Sequence, residues 1–82
     1  MPKGRDETKA ARWAVYLELL IEARLSAKLT QAELASLADV TQPYVSQVEA
    51  GKIRLDAIQL ADWLHACGSN LGRFGRALER RL

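Results

Sequence analysis

Two glutamines, Gln42 and Gln47, carry the side chain in this sequence best suited to reading a base edge. A glutamine amide presents a donor and an acceptor side by side, the complement of the N6/N7 edge of adenine in the major groove. Their neighbours have related chemistry. Tyr44 and Ser46 carry hydroxyls that can donate to phosphates or bases. Pro43 cannot hydrogen-bond a base; it can pack on a thymine methyl or simply pre-organise a helix start. Residues suited to other chemistry lack partners. Glu18 and Glu22 stand at i, i+4, the spacing of a solvated helix face. His65 is the only histidine and has no second ligand or nucleophile near it in sequence. Cys67 is the only cysteine, which excludes an intramolecular disulfide and a Cys-based zinc cluster, and it reads as a small apolar filler. There is no H-E-x-x-H, no P-loop and no nucleophile elbow, and the G-R-F-G at Gly72 is too short and wrongly placed for a phosphate loop. The expectation is a binding protein rather than an enzyme, with no catalytic residue, metal or cofactor.

The elements that must position the glutamines lie between Thr30 and Gly51, in T-Q-A-E-L-A-S-L-A-D-V-T-Q-P-Y-V-S-Q-V-E-A-G. Thr30 and Glu33 form a T-x-x-E capping box that starts one helix. Leu34, Ala35, Leu37 and Ala38 give it an apolar stripe, and the small Ala35 allows a second helix to cross closely. Asp39-Val40-Thr41 breaks the pattern. Thr41 can cap the second helix, Gln42 to Ala50, and Pro43 is tolerated in its first turn because those N–H groups lack intrahelical partners. Val45 and Val48 face inward, and Gly51 ends the helix. That leaves Gln42, Pro43, Tyr44, Ser46 and Gln47 outward. A lone outward glutamine is an ordinary solvated residue; the whole pattern in register favours contact with DNA.

This stretch resembles the helix-turn-helix of the Cro/CI, or XRE, family of phage repressors, on the strength of L-T-Q-A-E-L-A followed by V-T-Q-P-Y-V-S-Q-V-E-A-G. Weaker similarity continues through I-R-L-D-A-I-Q-L-A-D-W-L to Gly68. The resemblance implies an all-α, five-helix, lambda-repressor-like DNA-binding domain. It implies base reading at Gln42, Pro43 and Gln47, with Tyr44 and Ser46 beside them. Gln31 matches a family glutamine that touches phosphate and braces the first reading glutamine. Thr41, and Lys52 and Arg54 in the following G-K-I-R-L-D loop, are the other phosphate candidates; for Arg54, a purely solubilising role is equally open. The resemblance also implies an ion pair between Arg24 and Glu49. Two departures sit at turns: Lys28 and Asp39 occupy positions that are often glycine, where φ is usually positive. Asp tolerates that better than Lys.

The rest of the chain must support this unit. Eighty-two residues make a single domain with one modest core. A net charge of +2 is too small to argue for nucleic acid by itself, but basic residues gather in the N-terminal tail and the last helix. No apolar run approaches a membrane span and the start lacks a secretory h-region, so a cytoplasmic, nucleoid-associated location is expected. Residues 1–9 read as a flexible arm in which Lys3, Arg5 and Lys9 can reach DNA or remain merely solvated. Residues 10–82 form the domain. Helix 1, Ala10 to Ala27, buries Trp13, Tyr16, Leu17, Leu20 and Ala23. Arg24 falls on that apolar face and so needs a partner. Helix 4 runs from its cap Asp56 to Cys67, with Ala57, Leu60, Ala61 and Leu64 inward and Ile58 and Trp63 flanking, Trp63 reading as core rather than as a base-stacking platform. Helix 5, from Asn70 to about Arg80, lines Leu71, Phe74, Leu78 and Leu82 along one face and Arg73, Arg76 and Arg80 along the other. Leu71, Phe74 and Leu78 are expected to meet a second copy, although such a stripe can also close the chain's own core.

The expected function is a homodimeric, sequence-specific binder of double-stranded DNA, a repressor reading an inverted repeat. The alternatives are an antitoxin, gripping a toxin through helix 5 or a Val15/Leu19 edge of helix 1, and a restriction-modification controller protein.

Overall fold

The computed structural model describes the backbone of residues 4–82 and the side chains of residues 8–82. Among the described residues the chain forms five helices in the order α1 (Gly4–Ser26), α2 (Gln31–Ala38), α3 (Gln42–Glu49), α4 (Ala57–Ala66) and α5 (Leu71–Arg81), and no strand. α1 starts well before Ala10, because neither proline nor glycine interrupts the sequence from Arg5 to Ala27. Lys9, expected in a free arm, therefore belongs to α1; Lys3 lies outside the described residues.

Side-chain caps set most of the helix boundaries. At α2 the Glu33 amide donates to Thr30 Oγ1 at 3.0 Å and the Thr30 amide donates to Glu33 Oε1 at 2.8 Å. α4 repeats the device with Asp56 and Gln59, at 2.7 and 2.9 Å. Thr41 caps α3 and Asn70 caps α5. Where family members often carry glycine, Lys28 and Asp39 both adopt left-handed backbone, at φ 60° and 59°. The Asp39 amide closes α2 by donating to the Ala35 and Ser36 carbonyls. Gly51 turns the chain out of α3 at φ +80°. A Cβ there would also lie 3.0 Å from Leu17 Cδ1, close enough that the leucine tip would have to shift.

α2 packs on α3 and α4, α5 packs on α1 and α4, and α1 meets α3. The core between them is Leu19, Leu20, Leu34, Ala35, Val45, Val48, Trp63, Leu64 and Phe74. Several expectations change here. Leu37 is 62% exposed, because α2 buries the face centred on Leu34, Ala35 and Ala38 and leaves Leu37 at its margin. Ala57 is exposed in the first turn of α4, where nothing covers it, whereas Trp63 is core as expected, its indole N–H donating to the Leu20 carbonyl at 3.3 Å. Leu19 is buried, so it offers no edge to a partner. Phe74, expected at a dimer contact, instead closes this chain's own core, edge-on to Tyr16 with ring centroids 5.7 Å apart. Its neighbour Leu78 packs partly against the same core, while Leu71 is 42% exposed. Among the described residues no helix is long and apolar enough to cross a membrane, and no cluster of His, Cys, Asp or Glu has the makings of a metal site.

Candidate nucleic-acid interface

α3 is an eight-residue rod held from below by Val45 and Val48, both essentially inaccessible to solvent. With those two positions committed to the core, the helical period places Gln42, Pro43 and Gln47 in solvent. Ala50 is also exposed and follows Gln47 by three residues, so it shares that face; its bare methyl carries no polar signal by which sequence could have singled it out. Ser46 is half-buried at the flank. Tyr44 is only partly outward. Its ring packs on the core and helps line a small cavity of about 200 Å³ with Val40, Leu55 and Trp63.

Gln42 is tied to the interior by a chain of hydrogen bonds. Arg24 and Glu49 form a two-pronged ion pair: Arg24 Nε donates to Glu49 Oε2 at 2.7 Å and Nη2 donates to Oε1 at 3.0 Å. Their side chains are only 12% and 6% exposed. Arg24 Nη1 also donates to the Leu29 carbonyl at 2.9 Å, fixing the turn before α2. The hydrogen bonds that Arg24 donates to Glu49 raise the Arg24 pKa further, against the opposing effect of burial. Gln31 Nε2 donates to Glu49 Oε1 at 3.0 Å, and Gln42 Nε2 donates to Gln31 Oε1 at 2.8 Å.

The order of donors and acceptors in this chain follows from its buried end. An ionised carboxylate can only accept, so Gln31 must turn its NH₂ toward Glu49 and its oxygen toward Gln42. Gln42 must then present its NH₂ to Gln31. Its Oε1 and its second N–H remain available, one acceptor and one donor side by side, as an adenine edge requires. Glu49 is thus both a strut between α1 and α3 and the origin of the polarity of the interface.

The expected phosphate-contacting residues flank α3 in the chain. Gln31 opens α2 and keeps one N–H beyond its bond to Glu49. Thr41 Oγ1 accepts from the Tyr44 amide at 3.3 Å and keeps its own proton to donate. Lys52 and Arg54 are exposed in the loop after α3. Arg54 is not free: its guanidinium lies 4.2 Å from the Trp13 ring centroid. Trp13 in turn stacks on Tyr16 at 5.0 Å. Burial raises the Tyr16 pKa, opposed by the nearby Arg54 charge. Sequence reading misses this stack, since Trp13 and Arg54 are far apart in the chain and a tryptophan at helical spacing reads as core. Cys67 is half-buried behind the ion pair, and burial pushes its thiol up, more than Arg24 lowers it, which leaves it protonated and inert.

Comparison with known proteins bears on the same residues. Curated proteins include no match. Among solved structures, an XRE-family like protein from Pseudomonas syringae pv. tomato str. DC3000 is similar at 34% identity and a TM-score of 0.83, over 93% of each chain. A family model described as Helix-turn-helix matches residues 20–74, which contain α2, α3, the Arg24–Glu49 pair and the core of α4. The chain belongs to the Cro/CI-type XRE helix-turn-helix family of DNA-binding regulatory domains.

Proposed function

We propose that this protein is a sequence-specific transcriptional repressor that binds double-stranded DNA as a homodimer and lays α3 in the major groove. The observation that carries the reading is the braced Gln42, whose free oxygen and N–H are held in one orientation on the same exposed surface as Pro43 and Gln47. Gln42 and Gln47 read adenine edges; Pro43 and Ala50 meet thymine methyls; Tyr44 and Ser46 shape the rim. Gln31, Thr41, Lys52 and Arg54 hold the backbone, helped by the N-terminal N–H groups of α2 and α3. With no effector domain required, occupancy alone blocks polymerase, in the cytoplasm at the nucleoid. Dimerisation through α5 uses the exposed Leu71, without Phe74, which is already occupied, or Leu78, which packs partly against the same core.

Selection of the purified protein against a random duplex pool, at low and at near-physiological salt, tests this. The expected product is an inverted repeat with half-sites about one helical turn apart that persists at the higher salt. Enrichment without a motif, vanishing with salt, would sink the proposal of base reading.

A further inference from the structure

A second surface feature lies off α3 altogether. A groove of about 350 Å³ runs between α1, the loop after α3 and α5, lined by Lys9, Arg12, Trp13, Tyr16, Arg54, Leu78 and Leu82. Its described lining divides sharply: three cationic side chains, no acidic one, and a floor made from two aromatic rings and two leucines. Three like charges around one concavity repel one another, and an anion relieves that repulsion. One of them, Arg54, is already held over Trp13, so less ordering is needed to engage it.

We propose that this groove binds a soluble organic anion with an apolar body, such as a medium-chain carboxylate, its head between Arg12 and Arg54 and its body on Trp13, Leu78 and Leu82. DNA is the poorer occupant. A phosphate needs only the cations and would leave the apolar floor uncovered, and no residue of α3 lines the groove. The regulatory consequence rests on the DNA-binding reading above: a ligand head group and a DNA phosphate compete for the Arg54 guanidinium and repel each other there. Ligand therefore weakens DNA binding, and DNA weakens ligand binding by the same factor.

The test uses the whole ¹⁵N-labelled chain titrated with octanoate, read at the two tryptophan indole N–H signals, with butyrate and 1-octanol as ligands lacking the tail or the charge. The expected result is a saturable shift of the Trp13 signal with Trp63 unmoved. Butyrate and 1-octanol bind more weakly. Arg12→Gln and Arg54→Gln each weaken octanoate by about tenfold, the loss of one charge-assisted hydrogen bond. Arg73→Gln, an exposed arginine outside this groove, leaves it unchanged. No saturable shift at Trp13, or affinity indifferent to both Arg12→Gln and Arg54→Gln, overturns the site. A second arm measures DNA affinity with and without octanoate: a loss in the wild type that Arg54→Gln abolishes supports the competition, and an unchanged affinity despite saturable binding overturns it. Failure of the DNA-binding reading would appear separately, as a pool selection that returns no motif while the octanoate arm still decides the groove.

Discussion

Glu49 joins two tasks that substitution can separate. Glu49→Gln keeps the size of the side chain but leaves Arg24 nearly buried without a counter-charge. The expected cost is about 3 kcal/mol, the lower end for breaking a buried pair, since both side chains retain slight exposure. Urea unfolding measures it. The same change lets the amide at 49 either donate or accept, so the orientation of Gln31 and Gln42 is no longer dictated, and operator preference at the Gln42 base should broaden beyond what lost stability explains. Gln47 has no such brace among the described hydrogen bonds. Gln47→Ala should leave stability alone and cost about 1–3 kcal/mol at one base position, with the preference relaxed there. Binding measured against every single-base operator variant checks this; a loss equal at all positions would count against base reading.

The short helices show why much of this fold was legible and where it was not. Caps are local chemistry, so Thr30 with Glu33, Thr41 and Asp56 mark their helices from sequence alone. The inward pair Val45 and Val48 follows from period, and the Arg24–Glu49 pair from the family pattern, because no local rule links residues so distant. What stays hidden depends on which neighbour covers a face. Leu37 and Leu34 look alike in sequence until α3 and α4 take one side of α2. Phe74 looks available until Tyr16 meets it. Position 28 offers a test at this scale. A lysine at φ 60° bears a steric cost that glycine avoids, partly offset by the greater freedom of unfolded glycine. Lys28→Gly should stabilise the protein by about 0.5–1 kcal/mol, which thermal unfolding would register as an upward shift of several degrees, about 4–8 °C per kcal/mol at this size.

For the whole molecule, one question is which contacts close the core of so short a chain. The α5 answer is Phe74, and Phe74→Ala should cost about 3–5 kcal/mol. That loss should be the same at low and high protein concentration, because the ring packs within one chain; a concentration-dependent loss would restore it to a subunit interface. The outer end of α5 is tied down more weakly. Arg81 donates two hydrogen bonds to Glu22, at 2.9 and 3.0 Å, and lowers the Glu22 pKa. Because the folded pKa is the lower one, this contribution is present above the ordinary carboxylate pKa and is lost as pH falls through the folded value. Both partners are well exposed, so the effect is small and fades with salt. Comparing Arg81→Gln with wild type by thermal unfolding should show a difference at neutral pH that disappears in acid.

The bracing of Gln42 also bears on how such a regulator changes its target over time. Pro43, Gln47 and Ala50 are exposed and carry no weight in the core, so they can be exchanged like type in a printing frame. Position 42 is more constrained, because its amide is the outer end of a hydrogen-bonded chain that runs to the strut between α1 and α3. On the proposed mode of binding, new operators should be reached more readily by altering the base pairs under the later turns of α3 than the one under Gln42. Such proteins would keep one slow-changing letter in otherwise divergent words.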